Sequence, residues 1–295
     1  MFFKNSNKKT SDKVFDLANK PLIERDDFDT LLKENFFGKF SKMAIDLRNN
    51  GFCLLEIDRK DWLKDIDYLR NILIEIKEFK DDKLKKKHQN LRFQDAWNHK
   101  QIFEVQKLAN EKKILDCLRI LYGREPFPFQ TLNFPYGSQQ HVHSDAVHFN
   151  SIPFGFMCGV WVALEDVTKE SGPLIYYPFS HKNNYISSKH LGITNKLIAE
   201  SLYPQIHFEE YWRKLIKDCN YTKKEFLAKK GQVFIWHANL LHGGEKVTSL
   251  GTTRWSQVTH YYFRNCCYYT PFYEFEKEND GDISKWREPC DLSVL

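Results

Sequence analysis

The sequence lacks the features that mark membrane, secreted and repeat proteins. No apolar run approaches the roughly 20 residues that a membrane-spanning helix needs. The first 13 residues, MFFKNSNKKTSDK, contain no apolar segment typical of a secretory signal. No internal repeat or low-complexity linker divides the 295 residues. These absences favour a cytoplasmic protein with no membrane partner and with one main domain, long enough to bury a core.

Paired cysteines are also missing. The seven cysteines are an odd number, and none are arranged as CxxC. Zinc ribbons hold their metal with such closely spaced pairs, so this kind of site is excluded. We therefore expect free thiols in a reducing compartment.

The positive charge is weak and is concentrated in one place. The formal net charge is +5, and the densest cluster of lysines is at 80–89. Nucleic-acid binding requires basic residues gathered on one face or in a known motif, and neither is visible. We expect no nucleic-acid partner. The lysine cluster is most simply a solvated segment, although contact with an anionic substrate stays open, and the sequence does not indicate an oligomeric state.

The apolar spacing divides the chain into a helical front and a strand-rich core. Residues 1–24 are polar and predict a loosely packed arm, followed by a single domain over 25–295 with a helical front at 25–123. Within this front the spacing predicts helices at 28–49, 61–79 and 100–122 and a short strand at 52–57.

Short runs rich in β-branched and aromatic residues follow the helical front. They predict strands at 129–134, 159–167, 173–178, 232–238 and 255–263, with a helical insertion at about 185–228. Aromatic residues make up 15% of the chain, which fits a β-rich core. Helices followed by many strands predict a β-rich α+β fold, and a jelly roll over 125–265 is the natural candidate.

The segment QQHVHSDAVHFN, residues 139–150, carries four possible metal ligands: His141, His143, Asp145 and His148. Because strand side chains alternate, the H-x-D pair His143 and Asp145 would share one face. His242, 99 residues after His143 and just after a predicted strand, is the best third ligand. Two histidines and one carboxylate form the ligand set of non-haem iron oxygenases. Zinc hydrolases use similar ligands, so the metal stays open at this point.

Arg254 favours the oxygenase. It lies twelve residues after His242, before a predicted strand. A guanidinium facing the metal would hold a carboxylate with two hydrogen bonds. An oxygenase that uses 2-oxoglutarate needs such a group for the far carboxylate, whereas a hydrolase does not. The alternative is an exposed arginine on a surface strand.

The segments HSD, WVALEDVTKESGPLIYYPFSHK, WHANLLHGG and TTRWS occur in this order. Together they resemble the phytanoyl-CoA dioxygenase family of Fe(II)- and 2-oxoglutarate-dependent oxygenases, strongly over about 125–265 and weakly before it. The resemblance implies a double-stranded β-helix, which is a jelly-roll variant, with iron at one mouth. It also implies O₂ as cosubstrate and a small-molecule or carrier-linked substrate that becomes hydroxylated, with ascorbate as a supporting reductant.

Carried over residue by residue, the resemblance implies both a metal site and a cosubstrate site. The iron ligands would be His143, Asp145 and His242. Arg254 would hold 2-oxoglutarate, and Trp161 and Asn133 would lie near it. Related halogenases have a small residue in place of the carboxylate, so Asp145 disfavours halogenation.

Two positions depart from the family pattern. Gly244 stands where members often have a serine or threonine that contacts the cosubstrate. Phe179 stands where a glycine is usual, so this turn must form without the conformational freedom of glycine.

The other histidines and an alternative function remain. We expect His148 to lie on the substrate side or in a loop, and His181, His237 and His260 to be structural. His141 could face the site or could be an ordinary strand residue.

The alternative function is a non-catalytic metal- or sugar-binding jelly roll, which would have no need for Arg254.

Overall fold

The computed structural model describes residues 19–76, 91–249, 251–275 and 284–293. Most of the expected N-terminal arm and the whole lysine cluster at 80–89 lie outside these residues. The chain is already packed before residue 24, because Leu22 and Ile23 are completely buried in the core. The boundary that we expected at residue 24 is therefore too late.

Eight α-helices are present in the described residues. They are α1 Phe28–Lys33, α2 Ser41–Asn50, α3 Trp62–Ile74, α4 Ala96–His99, α5 Phe103–Ala109, α6 Lys112–Tyr122, α7 Asn195–Glu200 and α8 Ile206–Asp218.

Two of the helices predicted from spacing are interrupted. The expected helix 28–49 is divided into α1 and α2, because Asn35 and Gly38 adopt positive φ angles of 56° and 51°. The expected helix 100–122 is divided into α5 and α6 at Glu111, whose side chain accepts a hydrogen bond from the backbone N–H of Lys113. Apolar spacing alone does not reveal such a break, because the helices before and after it bury the same side of the predicted helix.

Six antiparallel strands form the main sheet, in the spatial order β1-β8-β5-β10-β3-β2. They are β1 Phe52–Leu55, β2 Phe93–Gln94, β3 Pro126–Phe134, β5 Met157–Ala163, β8 Val233–His237 and β10 Ser256–Phe263. The N-terminal strand β1 thus extends the edge of a sheet built mainly from the second half of the chain.

Two smaller sheets complete the fold, in the orders β7-β6-β9 and β12-β11-β4. Their strands are β4 Asn150–Ile152, β6 Leu174–Tyr176, β7 Lys224–Phe226, β9 His242–Gly244, β11 Cys267–Tyr269 and β12 Trp286–Arg287. All five predicted core strands are present with shifted ends. The three-residue strands β4, β7, β9 and β11 and the two-residue strands β2 and β12 were not predicted, because such short pieces carry no periodic pattern.

The two faces of the main sheet bury different cores. Along β5, Val160 and Val162 point to the N-terminal helices and join the large core there. The alternate residues Trp161 and Ala163 point inwards and pack with side chains of the sheet β7-β6-β9. This arrangement is the double-stranded β-helix with flanking helices that the sequence predicts.

The helical insertion lies between β6 and β7. Phe208 and Trp212 of α8 are buried against a third apolar cluster that includes Leu241, next to the expected ligand His242. The insertion therefore covers the end of the fold where the site is expected. No helix in the described parts of the chain is long and apolar enough to cross a membrane.

Candidate metal and cosubstrate site

The three predicted ligands meet at one place. His143 precedes a short 3₁₀ turn, Asp145–Val147, while His242 begins β9. Candidate ligand atoms of His143, Asp145 and His242 all lie within 4.8 Å of one another. The imidazole Nε2 atoms of His143 and His242 are each 3.7 Å from a different carboxylate oxygen of Asp145. The three side chains therefore fit a single metal ion.

Backbone contacts fix the two imidazole rings in the form that a metal needs. The Nδ1 of His143 lies 2.8 Å from the carbonyl of His141, and that of His242 lies 2.9 Å from the carbonyl of Leu240. A carbonyl can only accept, so each Nδ1 carries a proton, and the Nε2 of the neutral ring is the nitrogen that offers a lone pair to a metal. Burial and the neighbouring His242 lower the pKa of His143 to about 4, so the ring is neutral at neutral pH.

Asp145 is held as a buried carboxylate. Its side chain is 4% exposed, and Oδ2 accepts a hydrogen bond of 2.8 Å from the indole N–H of Trp236. Burial alone would raise the pKa of Asp145, but His242 and His260 outweigh it and hold the pKa below its ordinary value. The carboxylate is thus ready to bind a cation.

His260 belongs to the site, although we expected it to be structural. On β10 its Nε2 lies 3.5 Å from Oδ2 of Asp145, and its Nδ1 lies 3.0 Å from Oε1 of Gln130. The signal in the sequence was its position: His260 is two residues after Val258 on the inward face, and Val258 pairs with the inward Trp161. Strand alternation groups His260 with Val258, but the pairing of Val258 with Trp161 is what shows that both face the cavity.

Gly159 makes room for the two rings that surround Asp145. It lies between Trp236 and His260 in the sheet, paired with one on each side. A Cβ at this position would lie 2.1 Å from Cζ2 of Trp236. A larger residue would push the indole away, so the geometry of the Asp145 carboxylate depends on this glycine.

Arg254 is buried on the wall of the same cavity and is 2% exposed. Its Nε has no hydrogen-bond partner, and its Cζ lies 5.8 Å from the ring centroid of Trp161. The nearest candidate counter-ion, Glu165, is already bound by Arg70 and by the backbone N–H of Trp255. Burial lowers the pKa of Arg254 to about 10, so the guanidinium stays charged at neutral pH and still needs an anion.

The other two predicted cosubstrate residues lie on opposite faces. Trp161 lines the cavity, and its indole N–H is buried without a partner. Asn133 is completely buried on the helical side of β3, where its amide donates to Gln257 at 3.1 Å. The assignment of Asn133 to the cosubstrate is therefore wrong, because its strand neighbours Leu132 and Phe134 face the cavity instead.

The structure shows how the chain accommodates Gly244 and Phe179, the two departures from the family pattern. A Cβ at Gly244 would lie 2.5 Å from the hydroxyl oxygen of Ser138, which itself lines the cavity. Ser138 therefore places a hydroxyl near the position where family members carry one, and sequence reasoning missed it. Phe179 adopts a left-handed φ of 71°, so this turn forms without glycine.

The remaining histidines divide into two groups. His141 and His148 line the cavity, where burial lowers the pKa of His148 to about 4. His181 donates to the carbonyl of Arg48, and His237 lies 2.6 Å from Glu24. Neither of these two side chains lines the metal cavity.

A family sequence profile described as phytanoyl-CoA dioxygenase (PhyH) matches residues 50–255, more than half of the chain. The chain belongs to the phytanoyl-CoA dioxygenase family. The resemblance seen in the sequence is thereby confirmed.

A curated protein that carries the same family name is similar to part of this chain. Phytanoyl-CoA dioxygenase domain-containing protein 1 of Danio rerio is 30% identical over 155 residues, which cover 51% of this chain and 48% of that protein. The chain thus matches about half the length of this curated relative.

Solved structures share the fold at low sequence identity. EctD from S. alaskensis, crystallised with 2-oxoglutarate and 5-hydroxyectoine, superposes with a TM-score of 0.58 at 18% identity and covers 86% of each chain. The epimerase SnoN, in complex with Fe³⁺, α-ketoglutarate and nogalamycin RO, superposes with a TM-score of 0.55 at 16% identity. That match covers 85% of this chain and 94% of SnoN.

The geometry predicts which residues hold the metal. Replacing His143, Asp145 or His242 with alanine should abolish stoichiometric binding of Mn(II) or anaerobic Fe(II), measured by calorimetry on folded protein. The His141→Ala variant is the matched control and should bind the metal normally, since His141 contributes only its carbonyl to His143. Metal binding that survives loss of His242 but fails in His141→Ala would show that the triad is wrongly assigned.

The Trp236 contact predicts a second effect on metal affinity. Trp236→Phe removes the donor to Asp145 and should weaken metal binding about 10- to 100-fold, the usual cost of losing an outer partner of a ligand. Trp62→Phe is the control, because its indole donates a similar 2.8 Å hydrogen bond to Gly231, away from the site. Equal metal affinities in the two variants would contradict the role given to Trp236.

The burial of Arg254 predicts a defect in cosubstrate binding. Arg254→Ala should weaken 2-oxoglutarate binding to the Mn(II)-loaded protein by about 2–4 kcal/mol, the scale for removing one side of a buried charge pair. Arg254→Lys should recover part of this loss, since an ammonium cannot form the paired hydrogen bonds of a guanidinium. Unchanged affinity of Arg254→Ala in calorimetry would exclude Arg254 as the carboxylate clamp.

Proposed function

We propose that this chain hydroxylates a small-molecule or carrier-linked metabolite in a reaction that consumes O₂ and 2-oxoglutarate. The observation that carries the proposal is the buried guanidinium of Arg254, whose Nε has no hydrogen-bond partner, on the cavity that the His143–Asp145–His242 triad also lines. A metal site alone would also suit a binding protein. A metal site beside a buried cation that needs an anion suits a dicarboxylate cosubstrate.

The donor set fits iron. Two imidazoles and one carboxylate would leave other positions of the metal open, as non-haem Fe(II) oxygenases require. Iron bound at this site supplies the activation of O₂, coupled to oxidation of 2-oxoglutarate to succinate and CO₂. Asp145 fills the position that halogenases leave open, which supports hydroxylation over halogenation.

The other residues on the wall of the cavity would orient the reactants and exclude water. Arg254 would hold the far carboxylate of 2-oxoglutarate, with Trp161 packed beside it and the hydroxyl of Ser138 within the same cavity. The cavity encloses 1210 Å³, which exceeds the usual volume of a small-ligand pocket. It can therefore accept a second molecule together with the cosubstrate. His148 lies on the wall of the cavity and would face this second molecule.

The proposal predicts slow turnover without substrate. Wild-type protein with Fe(II), ascorbate and 2-oxoglutarate should form succinate only when O₂ is present, and the Arg254→Ala variant should form much less. A true substrate should accelerate succinate formation and gain one oxygen atom from labelled O₂, detected by mass spectrometry. Added chloride or bromide should leave the product unchanged.

Two outcomes would contradict the proposal. A halogenated product would overturn the hydroxylase assignment. Absence of succinate from folded, iron-loaded protein, with and without candidate substrates, would instead favour the non-catalytic metal- or sugar-binding jelly roll.

A further inference from the structure

The cavity extends beyond the metal site to the helical insertion. Three residues of this insertion line it: Tyr203 and Gln205, which lie between α7 and α8, and Glu209 of α8. None of the three takes part in holding the metal or, as proposed, the cosubstrate. They form the wall against which a substrate would lie.

Glu209 is the unusual member of this wall. It lies in α8 and is 6% exposed, yet it carries a carboxylate. The hydroxyl of Tyr203 donates to its Oε1. One hydroxyl satisfies only one of the two carboxylate oxygens, each of which can accept more than one hydrogen bond.

No cation in the described ranges forms an ion pair with this carboxylate. Among the described residues, no lysine, arginine or histidine nitrogen lies within 4.0 Å of it. Arg213, one turn later in α8, donates its Nε–H to the backbone carbonyl of Glu209 instead. A carboxylate that is largely shielded from water and has no counter-ion is disfavoured, so a cationic ligand in the cavity would be bound favourably.

From this geometry we propose that Glu209 is the specificity residue for a substrate that carries a protonated amine. The proposal rests on the proposed function, because it assigns the same cavity a substrate. Glu209 would accept from the ammonium group through Oε2. The Tyr203 hydroxyl holds Oε1 and so orients the carboxylate. A neutral polyhydroxylated ligand is the alternative occupant, since it also offers hydrogen-bond donors, but it would not neutralise the charge.

The test uses wild-type protein with Mn(II) and 2-oxoglutarate, so that no turnover occurs. The probes are a library of small primary amines, each paired with its N-acetyl derivative and its hydroxyl analogue. Ligands retained by the protein are identified by mass spectrometry, and the dissociation constants of the best set are measured by calorimetry. We expect amines to be retained, and their acetylated and hydroxyl partners to bind about 30-fold or more weakly, as for loss of one member of a buried charge pair.

Variants test the residue itself. Glu209→Gln keeps the size of the side chain and should weaken amine binding about 30-fold or more. Glu210→Gln is the matched control, because Glu210 is the next residue but is exposed, and it should bind the same amines as wild type. The comparison of each amine with its N-acetyl derivative and its hydroxyl analogue needs no variant. It therefore tests the proposal even if Glu209→Gln does not fold.

The outcomes separate this inference from the proposed function. If wild-type protein binds neither Mn(II) nor 2-oxoglutarate, the proposed function fails and the inference fails with it. If it binds both, the inference alone is overturned by any of three results: no amine is retained, the acetylated or hydroxyl partners bind as tightly, or Glu209→Gln keeps full affinity.

Discussion

Two opposite charges are buried in one cavity without neutralising each other, and the rest of the site depends on this. Asp145 and Arg254 are 4% and 2% exposed, and no ion pair joins them among the described residues. Burying such charges is costly unless each has a partner. The fold maintains Asp145 through Trp236 and nearby imidazoles, while Arg254 keeps an unpartnered Nε. Asp145 is therefore suited to bind a cation, and Arg254 is suited to bind an anion.

The sheet makes this arrangement possible through a difference in side-chain size. Gly159 stands between Trp236 and His260, so two large rings can crowd around one carboxylate. Further along β5, Trp161 lines the same cavity and also packs with Ala163 in the apolar core of the inward face. The site is thus a local exception in a face that otherwise stabilises the fold by burying apolar surface.

Much of the fold and the metal site could be predicted from sequence, because both leave local signals. The H-x-D spacing identified His143 and Asp145, although Asp145 begins a 3₁₀ turn instead of lying on a strand, and the predicted strand before His242 identified the third ligand. Asn133 and His260 show the limit. Whether a strand residue faces the cavity or the helices depends on register, and an error of one residue reverses the face. Glu209 left no signal, since its burial depends on how the insertion packs against the core.

The backbones of His143 and His242 exchange both hydrogen bonds, at 2.9 and 3.0 Å. The two ligands are thus joined through a bridge between segments 99 residues apart, outside the regular ladders of the sheets. Bringing residues so distant in the chain together costs loop-closure entropy, which the surrounding core contacts must offset. The complete triad is thus a product of the closed fold, and its geometry depends on this backbone bridge as well as on the three side chains.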